Sequence, residues 1–272
     1  MQPKPIAGEY SLATGEAAVK RLSALHRIYS PAGSRILRQA GLKEGMRVAD
    51  FGCGVGATTQ MLAEMVGPTG HVTGIDVSAA QCEQGRQRCQ DAGLANVDFV
   101  AESATATGLP RNSFDLAYCR FLLLHLTDPE GCLREMIAVL KPGGILVIED
   151  GDLTTAGSAP PSALHWFADL FGRLGPTRNL DYTLARNLYH MVKAAGIDHP
   201  EIEIHQPALP RGEERYLLKW SIDEAGPGCV AAGIITHSKL QSILADMDRD
   251  TQNPDILALM PRMSLVWGRK SD

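Results

Sequence analysis

The sequence has no run of about eighteen apolar residues, which is roughly the length that a helix needs to cross a bilayer. Its first twenty residues contain Glu9 and Glu16 where a secretory signal would have an apolar core. It also has no block of basic residues, and the net charge is −5. These absences disfavour a membrane protein and a nucleic-acid-binding protein, and we expect a cytoplasmic location.

Cysteine gives no sign of a metal centre. The six cysteines include no C-x-x-C pair and no neighbouring histidine at zinc spacing. They are predicted to be reduced, mostly buried thiols, and no metal is expected. Cys53 is interpreted as a packing residue rather than a nucleophile.

A glycine-rich segment, DFGCGVG at residues 50–56, follows a strand-like stretch and precedes a helical pattern. Its alternating glycines are Gly52, Gly54 and Gly56. Glycine at these positions lets the backbone turn sharply and approach a ligand without a Cβ in the way. Twenty residues further on, a second apolar run ends at Asp76, whose carboxylate could accept hydrogen bonds from a ribose. The sequence therefore predicts a site for a nucleoside-containing cofactor.

Two nucleoside cofactors fit the glycine pattern, because Gly52-x-Gly54-x-x-Ala57 followed by Asp76 also matches a dinucleotide fingerprint. Asp50 separates the two interpretations. A carboxylate there would oppose a pyrophosphate by several kcal/mol at an effective dielectric of about 20. S-adenosylmethionine (SAM) has no phosphate, and its ammonium and sulfonium would be attracted. SAM is favoured, and an NAD-dependent oxidoreductase is the weaker alternative.

Four segments, in matching order and spacing, resemble the class I SAM-dependent methyltransferase family over residues 41–150. They are VADFGCGVG at 48–56, VTGIDVS at 72–78, SFDLA at 113–117 and LKPGGILV at 140–147. The stretch at 41–48 and the pair Glu9-Tyr10 are similar to a bacterial branch that acts on small molecules.

The resemblance implies SAM as the cofactor and assigns contacts to it. Asp76 would bind the ribose, and Val77 would lie against one face of the adenine. Ser103 and Ala104 would meet the adenine edge, although Ser103 stands where the family usually has aspartate. Arg120 would approach the methionine part. The cofactor-binding candidates, to which Tyr10 is added for a cation–π contact with the sulfonium, are Tyr10, Asp50, Gly52, Gly54, Gly56, Asp76, Val77, Ser103, Ala104 and Arg120.

Two residues are candidates for catalysis. His125 is the histidine closest to the predicted reaction centre, where it could be a base, a cofactor contact or a packed imidazole. Glu149 ends the predicted fifth strand, where an acid could orient or deprotonate a nucleophile or simply be solvated.

Alternating strand-like and helix-like segments predict an α/β fold with a doubly wound, mostly parallel, seven-stranded Rossmann-like sheet. Strands are predicted at 46–51, 71–76, 97–101, 115–119, 144–150, 201–206 and 262–268. We interpret residues 1–272 as a single catalytic unit. Its predicted parts are a helical lid at 1–40, a cofactor-binding core at 41–150, an inserted helical cap at 151–200 and a final part of the sheet with helices at 201–272.

Outside the core, two local predictions concern breaks in structure. The helix of the lid is predicted to end before Ser30-Pro31, because a proline disfavours helix in the residue before it. The segment from Gly151 to Pro161 is predicted to be a flexible connector. Lid and cap would wall the acceptor pocket, with Trp166, Tyr182 and Tyr189 as its lining. Phe167 and Phe171 would fill the interface between cap and sheet.

The predicted function is in-line methyl transfer to a small-molecule metabolite. No Asn-Pro-Pro-Tyr-like tetrapeptide follows strand four, and no Pro-Cys dipeptide occurs, which disfavours nucleobase amines and cytosine carbon as acceptors. A SAM-binding enzyme that does not methylate, such as a cyclase, decarboxylase or pericyclase, stays open as an alternative. The acceptor, the methylated atom and the oligomeric state are not defined by the residues.

Overall fold

The computed structural model describes residues 16–271, with residues 16–19 defined as helical backbone only. Its helices are α1 (Glu16–Ala40), α2 (Ala57–Val66), α3 (Ala79–Asp91), α4 (Pro129–Val139), α5 (Trp166–Thr177), α6 (Leu188–Ala194), α7 (Leu217–Ala231) and α8 (His237–Gln252). Its strands are β1 (Arg47–Phe51), β2 (His71–Asp76), β3 (Val97–Ala101), β4 (Phe114–Arg120), β5 (Leu140–Asp152), β6 (Gly157–Ala159), β7 (Glu201–His205), β8 (Ala208–Leu209), β9 (Leu257–Leu259) and β10 (Arg262–Arg269).

Seven strands form the central sheet in the order β3-β2-β1-β4-β5-β10-β7. Strands β1 to β5 pair in parallel, and β10 runs antiparallel to both β5 and β7. The doubly wound, mostly parallel sheet is thus confirmed, and each predicted strand is present. The chain leaves β1 in one direction towards β2 and β3, and in the other towards β4 and β5. This reversal places a ligand crevice at the carboxyl ends of β1 and β4.

The helices that flank the sheet begin at residues suited to capping. The side chain of Ser78 accepts a hydrogen bond from Gln81 N at the start of α3, and Asp128 accepts one from Gly131 N at the start of α4. Such caps satisfy amide groups that a helix leaves unpaired at its first turn. None of the helices within residues 16–271 combines the length and apolar character needed to cross a bilayer.

The prediction that the first helix ends before Ser30-Pro31 is wrong, because α1 continues through both residues to Ala40. The hydroxyl of Ser30 donates to the carbonyl of His26 (2.6 Å), next to the position where Pro31 lacks a backbone N–H. The buried face of α1 extends beyond the proline through Ala32, Ile36, Leu37 and Ala40. Packing of this face against the rest of the core outweighs the local preference.

The predicted flexible connector, Gly151 to Pro161, is ordered. Strand β5 continues through Asp152, and β6 pairs with β9 in a separate three-stranded sheet of order β6-β9-β8. Asp152 is only 1% exposed and accepts hydrogen bonds from both the backbone and the hydroxyl of Thr154. Its other oxygen pairs with Arg186 (2.6 Å). Small residues here allow the chain to pair with β9, so their composition does not produce flexibility.

Candidate functional site

The glycine loop after β1 turns back over the end of β2. The amides of Gly52 and Cys53 both donate to the carbonyl of Ile75, at 2.8 and 3.0 Å. Gly52, Gly54 and Gly56 have φ of 69°, 52° and 77°, in the left-handed region that side chains disfavour. The alternate glycines therefore serve the backbone conformation of the loop.

Close packing adds a second constraint, and it differs along the loop. A Cβ on Gly56 would lie 2.6 Å from the Cα of Gly85 in α3, where neither backbone can yield easily. A Cβ on Gly54 would meet only Oε1 of Gln81, at 3.6 Å, which is ordinary contact. Gly56 is thus the most confined of the three glycines, and Gly54 is the least confined.

Asp76, at the end of β2, ties the glycine loop to the start of α3. Its Oδ2 accepts from Gly54 N (3.0 Å) and its Oδ1 accepts from Ser78 N (2.9 Å). Burial raises the pKa of Asp76, while these two backbone amides oppose the rise. Each oxygen keeps a second lone pair for a ligand hydroxyl. The neighbouring Val77 is 68% exposed, as an apolar platform for a planar ring would be.

Ser103 and Ala104 lie just beyond β3, on the side of Asp76. The amide of Glu102 donates to the carbonyl of Asp76 (3.1 Å), which brings this loop beside the end of β2. Ser103 is exposed, and its hydroxyl is within 2.9 Å of the Thr105 hydroxyl. It can exchange this local bond for one with a ligand, whereas Ala104 offers only its backbone.

Asp50 lies near the end of β1, next to the first turn of α2, and is 1% exposed. Its Oδ2 accepts a hydrogen bond from the Thr59 hydroxyl (2.7 Å). Burial raises its pKa to about 7, although the Thr59 bond and then the charge of Arg120 counteract this. Asp50 is therefore a buried carboxyl whose ionisation depends on nearby positive charge such as that of Arg120.

Arg120, the last residue of β4, contacts side chains of the two helices α1 and α2. Its guanidinium donates to the Ser30 hydroxyl (3.2 Å), to His26 Nδ1 (2.9 Å) and to the Thr58 hydroxyl (2.9 Å). These partners are neutral, because burial, followed by the charge of Arg120, lowers the pKa of His26 to about 4. Its positive charge is thus held at the end of β4 by hydroxyl and imidazole groups.

A groove of about 560 Å³ opens beside these contacts, between α1 and α2. His26, Ser30, Ala57 and Arg88 are among the residues that line it. It adjoins the amino-terminal end of α2, where unpaired amides favour an anion. Arg27, Arg88 and Glu64 all line the groove, so a carboxylate tail of a ligand would find a net positive charge there.

Glu149 faces α1 and lies close to its backbone. A Cβ on Gly33 would lie 2.5 Å from Glu149 Oε1, so only glycine fits there. The Glu149 side chain is 1% exposed, and Oε1 has no hydrogen-bond partner within residues 16–271. Burial raises its pKa to about 7, opposed first by Arg120 and then by Tyr118. The carboxyl is therefore mostly shielded from the cleft.

Replacing Glu149 by glutamine should flatten the dependence of stability on pH. An unfolded chain ionises this carboxyl near pH 4.5, whereas the folded protein resists ionisation up to about 7. Between those values rising pH favours unfolding, by up to about 3 kcal/mol at about 1.4 kcal/mol per pH unit. Urea unfolding at pH 5 and pH 8 should show a smaller loss for Glu149→Gln than for the wild type. An equal loss in both proteins would assign the dependence elsewhere, for example to Asp50.

His125 follows β4 in a short 3-10 turn, Leu123–His125, that Asp150 fixes. Asp150 Oδ2 accepts from the amide of Leu123 (2.7 Å). Burial, then the charges of Arg21 and Arg178, lower the pKa of His125 to about 3. The imidazole is consequently neutral near pH 7. Its ring packs edge-on against Tyr182, at 5.9 Å between centroids.

His125 lines a cavity of about 50 Å³ between α1, α5 and α7. Phe167 and Phe171 line this cavity, although the sequence suggested that they only fill an interface. Trp166 instead lies against Lys239, whose Nζ is 4.8 Å from its ring centroid. Helix α5 therefore contributes Phe167 and Phe171, and not Trp166, to the wall of this cavity.

Two residues need separate mention, the predicted Tyr10 and the unpredicted Arg21. Tyr10 lies outside the described residues. Arg21 lines the cavity and was not predicted; the available signal was a charge four residues before Leu25, beside the apolar stripe of α1. Within residues 16–271, no group of three or more His, Cys, Asp or Glu side chains is arranged to hold a metal ion.

Comparison with known proteins defines the class of protein. A family model described as a methyltransferase domain matches residues 42–196, more than half of the chain. The chain belongs to this family, which confirms the family that the four motifs predicted. A ubiquinone/menaquinone biosynthesis C-methyltransferase, UbiE from Ectopseudomonas mendocina, is 38% identical over 125 residues, covering 46% of this chain and 48% of that protein. The chain thus spans about half the length of the curated relatives it matches.

Solved structures agree on the fold. A SAM-dependent methyltransferase from Aquifex aeolicus is 25% identical with a TM-score of 0.53, over 72% of this chain and 93% of that chain. The [4+2]-cyclase SpnF has a TM-score of 0.54 at 22% identity, over 97% of this chain and 86% of that chain. Because both share the architecture, the fold alone does not separate methyl transfer from cyclisation.

Proposed function

We propose that this protein is a SAM-dependent methyltransferase that acts on a small molecule. The observation that carries the proposal is Asp76, held by Gly54 N and Ser78 N at the carboxyl end of β2 in a methyltransferase-family sheet, beside the exposed Val77. A ribose diol needs such an acceptor pair, and an adenine needs such an apolar platform. The proposal treats residues 1–272 as one catalytic unit.

The residues present fit the cofactor along its length. Asp76 would bind the ribose, Val77 and the Ser103-Ala104 loop would surround the adenine, and Arg120 would lie near the methionine part. The groove between α1 and α2 could take the cofactor carboxylate. Asp50 and Glu149 add buried carboxyl groups that a nearby cation would help to ionise. The same carboxyl groups, when ionised, would repel the negative charges of a pyrophosphate, which disfavours NAD.

When bound, SAM supplies a methyl group that is already activated by the sulfonium. The protein then has to hold the acceptor in line and exclude water. α1, α5 and α7 surround the cavity next to the end of β4 and are suited to this. His125 is neutral near pH 7, and its imidazole could receive a hydrogen bond from a hydroxyl group of the substrate that is methylated. Its low pKa makes it a weak base.

Quinone-type rings are one class of acceptor to test, because the relative from Ectopseudomonas mendocina is named for carbon methylation in quinone biosynthesis. The similar region covers about half of that protein. The acceptor of that protein is therefore a candidate to test here and is not assigned to this chain.

The proposal predicts binding of SAM and S-adenosylhomocysteine (SAH) but not NAD. Titration calorimetry with each ligand tests this directly. Mass spectrometry of incubations with SAM and a panel of acceptors should show equal amounts of SAH and a product heavier by one methyl group. SAM binding with acceptor turnover but no SAH would instead indicate a cyclase or pericyclase. NAD binding without SAM binding would contradict the proposal.

A further inference from the structure

Two arginines and one glutamate lie around the junction of α1, α5 and α7, and both arginines are close enough to His125 to lower its pKa. Arg21 of α1 is 4% exposed, and its Nε lies 3.0 Å from Glu224 Oε2 of α7. Arg178 follows α5 and reaches α7 at Gly228, where any side chain would overlap its guanidinium. Within residues 16–271, Glu224 is the only carboxylate in ion-pair range of either arginine. The cluster therefore holds one excess positive charge.

The donors of this cluster are not saturated. Nε and Nη2 of Arg21 and Nη1 of Arg178 are buried and have no hydrogen-bond acceptor among the described residues. Both oxygens of Glu224 also lack an aligned donor, so the ion pair compensates charge without satisfying hydrogen bonds. Buried donors without partners are costly. Nη2 lies beside Nε on the guanidinium edge that faces Glu224, so a ligand carboxylate that binds Arg21 would share this edge with Glu224.

The cavity of about 50 Å³ lies at this cluster, with Arg21 and His125 in its wall. Its other walls are mainly apolar and include Phe121, Phe167 and Phe171. A volume of this size holds roughly one to a few water-sized groups, and so a terminal carboxylate but not a whole metabolite. The apolar body of a ligand would have to lie against the phenylalanines.

We propose that Arg21 binds a carboxylate of the acceptor in this cavity, so that the substrate class is small apolar molecules bearing one carboxylate. The inference rests on the proposed function, since the acceptor must lie beside the carboxyl end of β4. An anion there would cancel the excess charge of Arg21, Arg178 and Glu224. It would also supply the acceptors that the Arg21 donors lack.

The test uses 4-fluorobenzoate as probe and 4-fluorobenzamide as its uncharged isostere. Binding to the full-length protein is followed by fluorine NMR with saturating SAH. The benzoate should bind and the benzamide should not. Arg21→Met should weaken benzoate binding by about tenfold or more, since a charge-assisted contact is lost. Glu224→Gln should tighten it about threefold or more, because a competing carboxylate is removed.

Controls separate this inference from a structural role and from the proposed function. Arg35→Met changes an exposed arginine of the same helix, paired with Glu203, and should leave benzoate binding unchanged. Arg21→Lys keeps the positive charge but lacks the planar guanidinium group. It replaces Arg21→Met in the test if that variant does not fold. Equal binding of benzoate and benzamide, no benzoate binding, or unchanged binding in the Arg21 variants would overturn the inference. Calorimetry with SAM and SAH reports separately on the proposed function.

Discussion

Replacing Asp76 by alanine should weaken binding of SAM and SAH by about 1 to 3 kcal/mol, or roughly 5- to 150-fold. Two losses combine in this variant. The ribose loses a charged acceptor, and the amides of Gly54 and Ser78 lose the carboxylate that fixes the loop relative to α3. Titration calorimetry gives the affinities of both ligands, and thermal unfolding shows how much stability the loop contributes.

A matched control is Asp98→Ala. Asp98 stands on β3 and contacts His71 (2.8 Å), but its side chain is 71% exposed and it takes no part in the loop. Its removal should leave cofactor affinity unchanged. Wild-type affinity in Asp76→Ala would remove Asp76 from the ribose contact, whatever happens to the melting temperature.

Replacing Gly56 by alanine should destabilise the protein by about 2 to 5 kcal/mol. A left-handed alanine costs roughly 1 to 2 kcal/mol, and overpacking typically adds about 1 to 3. The overlap with Gly85 Cα is between two backbones, so no side-chain rotation relieves it. Chemical denaturation measures the loss. Cofactor binding should fall as well, because separating α2 from α3 displaces the loop.

Gly93→Ala is a control for backbone strain alone. Gly93 has φ of 72°, similar to Gly56, but nothing lies within 4 Å of a Cβ built there. The difference between the two variants therefore isolates the clash. Equal destabilisation would show that α2 and α3 separate at little cost, and that Gly56 is required for its dihedral angles only.

The sheet was predictable because its parallel strands are short apolar runs with strong end signals. Asp76 ends β2, and the glycines after Asp50 end β1, so both boundaries are visible in the sequence. The first helix was misjudged at Pro31, since a local rule was applied where tertiary packing decides. The same limitation made the small residues after Asp152 resemble a flexible connector, although they pair with a distant strand.

The residues proposed for the cofactor could be named from the sequence, because they follow motifs of fixed spacing. The residues proposed for the acceptor could not. Arg21 and Phe171 are 150 residues apart, and no local pattern indicates that they share a wall. Glu224 and Arg178 become notable only when their burial and missing hydrogen bonds are known. Such residues can be found only from three-dimensional contacts.

The walls of the cavity come from α1, the turn after β4, α5 and α7, and so from segments that are distant in the chain. The glycine loop and Asp76, in contrast, lie within 27 consecutive residues, 50–76. Point substitutions in descendants of this gene can therefore alter the cavity one wall at a time while the cofactor loop stays intact. Divergence in acceptor choice would then be gradual, and overall sequence identity between two such proteins would be a poor measure of whether they share a substrate.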